Sequence, residues 1–198
     1  MIFRRRSARP LPLARCSTEA HLYMDLRPCG CGEVLFPRDS SVVQAGGDLA
    51  SRYSGSCISC GTYREFVFRL PMKIDLPQPG VVRFGDGEAS ELLDPGEWLW
   101  IADRYAAAYP ADISPMNAGE RRQAHQAVAT AAAAMDEVLA FVPPGRRAVP
   151  GHAFRSERGR AVHAIEPGRF ALDRLQVVRD TYRQILIEQR ITMKEGRR

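Results

Sequence analysis

Pro28-Cys29-Gly30-Cys31-Gly32 and Ser56-Cys57-Ile58-Ser59-Cys60-Gly61 are two close cysteine pairs, each followed by glycine, with 25 residues between Cys31 and Cys57. Two such pairs read as the four ligands of one tetrahedral metal site. Four thiolates at about 2.3 Å suit Zn²⁺ and leave no coordination position open to water. A site closed in this way shapes a local fold and supplies no chemistry. Two other readings stay open: plain buried thiols, and disulfide exchange at Cys57-Ile-Ser-Cys60. The exchange motif opens a helix after a strand, whereas the residues that follow here look like strand. An iron–sulfur cluster uses the same ligand type. Cys16 is spare. His21, eight residues before Cys29, is a substitute ligand candidate set against a histidine on the polar face.

Outward from the cysteines, the chain alternates at period two. Leu22, Met24 and Leu26 predict a strand over 19–26 leading into the first pair. Ser41–Gln44 predicts another, ended by Gly46-Gly47. Tyr63–Leu70 sends Phe66, Phe68 and Leu70 one way, with Arg64, Glu65 and Arg69 as the charged part of the run, and Pro71 ends it. Strand, knuckle, strand, knuckle, strand is the order of a zinc ribbon. Over about residues 19–71 the chain resembles that family, most closely at Cys57-Ile-Ser-Cys60-Gly61; Cys29-Gly-Cys31 has one intervening residue where the family has two or more. The resemblance implies a structural Zn²⁺ held by Cys29, Cys31, Cys57 and Cys60, and a rigid platform for other macromolecules.

Beyond a Pro- and Gly-rich connector at 72–91, with a short strand expected at Val81–Phe84, the period changes. Asp94-Pro95-Gly96-Glu97 is a capping box with proline at the first helical position. Trp98, Ile101, Ala102 and Tyr105 follow at helical spacing. Asn117-Ala-Gly-Glu120 starts a second helix, rich in alanine and running to about Val142. A third spans roughly 169–190. Between them, 143–168 reads as an irregular basic loop with a short strand at Ala161–Ile165. Trp98 and Trp100 lie about 200° apart on a helix, so Trp98 belongs to the core and Trp100 points elsewhere.

These signals predict an α+β protein: a basic disordered tail (1–17), a small antiparallel zinc-ribbon-like β module with its connector (18–91), and a helical domain (92–198) whose three-helix layer packs on the β module. No apolar run reaches the roughly 18–20 residues needed to span a bilayer. Arg4-Arg5-Arg6 is followed by no apolar signal stretch, and five cysteines then suit a reducing, cytoplasmic setting.

The net charge of +5 is unevenly spread. Residues 1–15 hold five basic groups and no acid; 16–142 hold 10 basic and 17 acidic; 143–198 hold 13 basic and 6 acidic. Basic ends point to nucleic-acid contact by Arg4, Arg5, Arg6, Arg146, Arg147, Arg155, Arg158 and Arg160, or to ends that fold against the acidic centre. All but Lys73 and Lys194 of the 28 Lys and Arg are arginine, a bias that lowers the weight of any arginine cluster. Asp86, Glu88, Glu91, Asp94 and Glu97 could hold a cation, but Asp94 and Glu97 already serve a helix start. His152 and His163 flank Arg155, Glu157, Arg158 and Arg160, with no nucleophile or second carboxylate at a telling distance. No phosphate-cradling loop, His-Glu-x-x-His or Gly-x-Ser-x-Gly pattern occurs. The reading favoured is therefore non-enzymatic: a zinc-binding protein-interaction module, as an adaptor or an inhibitor such as an immunity protein that masks a toxin. A nucleic-acid-binding regulator is the alternative.

Overall fold

Alternation alone does not make residues 19–26 a strand. The computed structural model, which describes residues 10–73, 81–110 and 112–195, has them in helix α1, Ser17–Asp25. Cys16 is the N-cap, its Sγ accepting from the Glu19 amide at 3.4 Å. The Glu19 carboxylate is buried and takes the Arg15 amide at 2.8 Å and its guanidinium at 2.6 Å. Cys16-Ser-Thr-Glu19 thus works as a start signal with sulfur in place of the usual oxygen. Over nine residues a few apolar side chains satisfy either period, and the cap decides.

The chain forms two compact units, Met1–Asp75 and Leu76–Arg198. In the first, strands β1 (Asp39–Ala45), β2 (Asp48–Ser56) and β3 (Tyr63–Arg69) make an antiparallel sheet in that order. Gly46 (φ 66°) and Gly47 (φ 96°) form the two-residue turn between β1 and β2, a conformation only glycine adopts cheaply at both positions. The observed order is therefore helix, knuckle, hairpin, knuckle, strand. Tyr23 of α1 stands edge-on to Phe66 and Phe68, at 6.3 and 5.4 Å between ring centres. Phe68, Tyr53, Met24, Phe36 and Ala50 are buried. The outer side of β3 is not bare. Arg69 donates its amide to the Pro12 carbonyl at 2.9 Å and accepts from the Ala14 amide at 3.1 Å, so residues 12–14 of the expected loose tail lie against the sheet.

The second unit is helical: α2 (Pro95–Ala107), α3 (Ala118–Leu139), α4 (Glu157–Ile165) and α5 (Leu172–Glu195). Both capping boxes form, Asp94 with Glu97 and Asn117 with Glu120. α3 packs against α2 and α5, and α4 against α2. The strand expected at Ala161–Ile165 is part of α4, started by Ser156, whose Oγ accepts from the Gly159 amide at 2.8 Å. Val81–Phe84 is no strand either; Phe84 is buried on Trp98, 4.9 Å between rings. The molecule is thus α+β, with five α-helices and one three-stranded antiparallel sheet among the described residues.

Asp94 does more than cap α2. Its Oδ1 accepts from Gly96 and Glu97 amides at 3.0 Å, while Oδ2 accepts from the Arg155 and Ser156 amides at 2.9 and 2.6 Å. One buried carboxylate therefore serves the starts of two helices. Gly96 and Gly159 make this approach feasible: a Cβ on Gly159 would overlap both Asp94 oxygens, and one on Gly96 would overlap the Gly159 backbone.

A comparable close crossing supports the sheet. A Cβ on Gly55 in β2 would overlap the Pro37 carbonyl. Gly55→Ala is expected to push the Phe36–Pro37 segment off the sheet and lower the thermal stability of the first unit by roughly 1–3 kcal/mol, read from its unfolding midpoint.

Candidate metal centre

The four cysteine sulfurs of the two knuckles lie within 4.8 Å of one another. Cys29 Sγ is 3.5 Å from Cys60 Sγ, and Cys31 Sγ is 3.6 Å from Cys57 Sγ. A tetrahedron with about 2.3 Å metal–sulfur bonds has edges of about 3.8 Å. The sulfurs therefore already sit near the corners such a site requires. All four are free thiols, Cys29 and Cys57 buried, Cys31 and Cys60 exposed.

Two knuckles of different length reach this arrangement through the same hydrogen-bond pair. In the first, the Cys29 carbonyl accepts from the Gly32 amide (2.8 Å) and the Cys29 amide donates to the Glu33 carbonyl (2.7 Å). In the second, the Cys57 carbonyl accepts from Gly61 (2.9 Å) and the Cys57 amide donates to Thr62 (2.9 Å). Gly32 (φ 93°) and Gly61 (φ 73°) both take the left-handed turn this requires. Omitting one residue between Cys29 and Cys31 shortens the loop without changing how it closes. The knuckles are also tied to each other. The Ile58 amide donates to the Leu35 carbonyl at 3.4 Å, and Ser59 Oγ donates to Glu33 Oε2 at 2.8 Å.

Protons are shared unevenly among sulfurs this close. The Thr62 hydroxyl, 3.2 Å from Cys60 Sγ, and the Thr62 amide hold the Cys60 thiol down to about 6. At Cys31 the Glu33 amide favours the thiolate, but hydrogen bonding with the sulfurs of Cys60, Cys57 and Cys29 outweighs it and pushes the thiol up to about 12. A divalent cation is the partner that lets all four ionise together.

Arg64 holds the first knuckle on the sheet, and sequence reasoning, which counted it among the charged part of the alternating run, missed this role. It is 8% exposed. Its guanidinium donates to the Val34 carbonyl at 3.0 Å and to the Arg27 carbonyl, bracketing the knuckle on both sides, and lies 4.4 Å from the Phe36 ring centre. Nothing local in the sequence signals a buried arginine whose partners are carbonyls about 30 residues away. Gly55 could have been suspected, since an isolated glycine inside a strand marks a close backbone approach. Arg64→Ala should cost roughly 2–3 kcal/mol, because the two carbonyls lose charge-assisted partners. It should also weaken metal retention against a competing chelator. Arg64→Lys, which lacks the fork, should recover only part of either.

The remaining candidates do not converge on the sulfurs. Cys16 caps α1, and His21 stands edge-on to Tyr53 at 5.3 Å. His163 lies on Phe154 at 4.2 Å, and His152 sits in the short turn Gly151–Ala153. Asp94 and Glu97 are engaged in the cap of α2, and Asp86 accepts from the Glu88 amide at 3.2 Å. Among the described residues no other three His, Cys, Asp or Glu side chains gather at metal-binding distance. Arg4, Arg5 and Arg6 lie outside the described residues. Arg155 donates to the Ser90 carbonyl at 3.0 Å, and Arg160 to the Arg155 carbonyl at 2.6 Å. Arg147 pairs with Asp173 at 2.7 Å. Arg158 and Arg104 stack on Trp100, at 4.4 and 4.9 Å, which accounts for the tryptophan that points away from the core. Arg146 is exposed.

No protein family, curated protein or solved structure matches the chain. The four-cysteine cluster, compatible with a zinc-ribbon-like site, therefore stands on its geometry alone.

Proposed function

We propose that the chain is a non-enzymatic zinc protein whose metal-stapled unit presents a surface to a protein partner. The observation that carries this is the closure of the four-sulfur cluster by two equivalent knuckles. Cys29, Cys31, Cys57 and Cys60 would hold the ion. A bound Zn²⁺ there supplies cross-linking of the fold, since four sulfurs fill its coordination sphere.

Support for a partner comes from the knuckle tips. Leu35 and Ile58 are 55% and 61% exposed, and they are joined through the Ile58–Leu35 backbone bond. Tyr63 follows the second knuckle and is also exposed. Large apolar side chains held on a rigid rim mark an interaction surface more than a solvated one. The adaptor or inhibitor role is the form this reading takes. Phosphate contact by Arg147, Arg155, Arg158 and Arg160 would require them to leave internal partners, so the nucleic-acid reading has less behind it.

The test has two parts. The full chain purified under reducing, chelator-free conditions should hold close to one equivalent of zinc, and Co²⁺ in its place should give the intense visible absorption of a tetrahedral four-thiolate site. A Leu35→Glu/Ile58→Glu variant should keep the metal and lose whatever protein the wild-type chain specifically retains. Less than about half an equivalent of metal would remove the basis of the proposal.

A further inference from the structure

The free edge of β1 carries an inference that goes beyond the metal reading and does not rest on it. β2 is paired on both sides and β3 is bordered by residues 12–14, so among the described residues β1 is the open edge of the sheet. The turn fixes which of its groups face outward. In a two-residue hairpin the residues flanking the turn, Ala45 and Asp48, form a hydrogen-bonded pair, and the pairs then alternate. Leu49 accordingly gives its carbonyl to the Leu70 amide on the far side, at 2.9 Å, rather than to Gln44 opposite. Ser40, Val42 and Gln44 therefore direct their amides and carbonyls away from β2, into the open edge.

Open edges in folded proteins are guarded by charge, proline or a bulge. The only charge in β1 is Asp39 at its first position; Ser40-Ser-Val-Val-Gln-Ala45 has no charge, proline or bulge. The neighbouring cations are engaged elsewhere, Arg38 on Asp25 and Arg52, opposite Ser41, on Glu65 at 3.8 Å. Two large apolar side chains lie beside this edge on one face of the sheet, Val42 at 66% and Leu49 at 62% exposure.

We infer that two copies of the chain join here, β1 against β1, antiparallel about a two-fold axis at Val42. The strand suits its own copy. Val42 meets Val42, Ser40 meets Gln44, Ser41 meets Val43, and Asp39 meets Ala45, so no like charges stand opposite. The outward groups of Ser40, Val42 and Gln44 complete about six hydrogen bonds. The two sheets become one of six strands, and the Val42 and Leu49 side chains of both copies gather on one face. An isologous contact of this kind closes on itself and does not propagate.

Sedimentation equilibrium of the full chain over a wide concentration range should give twice the monomer mass at the upper end. Amide hydrogen exchange at Ser40, Val42 and Gln44 should slow as dimer forms, while Ser41 and Val43, already bonded to β2, hold steady. Val42→Lys places like charges on the axis and should raise the dimer dissociation constant about tenfold or more. Val42→Thr, still β-branched, should leave a dimer. Metal content and circular dichroism, read on both variants, separate loss of pairing from loss of folding. A monomer at every concentration overturns the inference. So does a dimer indifferent to Val42→Lys in the folded variant, or an edge protected only when another protein is added.

Discussion

Cys57→Ser is expected to unfold the first unit while the second stays folded. Cys57 is the buried candidate ligand of the second knuckle, and its sulfur, carbonyl and amide all take part in closing the four-sulfur cluster. Structural zinc contributes roughly 10–16 kcal/mol to the folding of small zinc-finger peptides. Here an aromatic cluster of Tyr23, Tyr53, Phe66 and Phe68 shares the task, so a loss on the order of 5 kcal/mol is expected. That exceeds what a three-stranded sheet and one nine-residue helix can spare. Both tryptophans, Trp98 and Trp100, lie in the second unit, which gives a clean readout. Their emission should hold steady while amide exchange across β1–β3 accelerates. Chelation of the wild-type chain should reproduce the effect. Cys16→Ser is the control: serine is a better N-cap than cysteine, so that variant should keep both metal and stability. Metal binding also displaces protons from the thiols, so retention should fall as pH drops.

Asp94→Ala should produce the opposite pattern, collapse of the second unit with the metal retained. A helix cap is worth about 1 kcal/mol, and Asp94 caps α2 while also holding Arg155 and Ser156, the residues that lead into α4. Its removal leaves the amides of Gly96, Glu97, Arg155 and Ser156 without their acceptor. Each buried amide left unpaired costs about 1–3 kcal/mol, although water entering the gap recovers part of that. A net loss on the order of 3 kcal/mol or more is expected, read as a lower urea midpoint by tryptophan emission. Asp94→Asn keeps one acceptor oxygen and should fall between. Gly159→Ala should match the alanine variant by a different route, since its methyl displaces the carboxylate. Equal zinc content in all three would show that the damage is confined.

The sequence makes some elements legible because their determinants are local. α2 and α3 announce themselves through Asp94–Glu97 and Asn117–Glu120, and β3 through the alternation of Phe66 and Phe68. The four ligand candidates are legible from spacing alone. α1 hides because a sulfur does the work of a hydroxyl at its N-cap. α4 hides because its nine residues include Gly159, two arginines and a histidine, too short and too polar for a clear stripe. The clamp of Arg64 and the second task of Asp94 are long-range, reaching partners 30 to 62 positions away. Such partners depend on where the chain folds back, and no window of neighbouring residues contains that.

The double duty of Asp94 also imposes an order on assembly. A nine-residue helix does not persist alone in water, and the carboxylate that steadies the start of α4 sits 62 positions upstream of Ser156. During vectorial synthesis α2 and α3 emerge and can dock before that stretch leaves the ribosome. α4 then forms after them, on a template already in place, and a chain stalled before residue 155 would hold an α2 whose capping carboxylate has only half its partners.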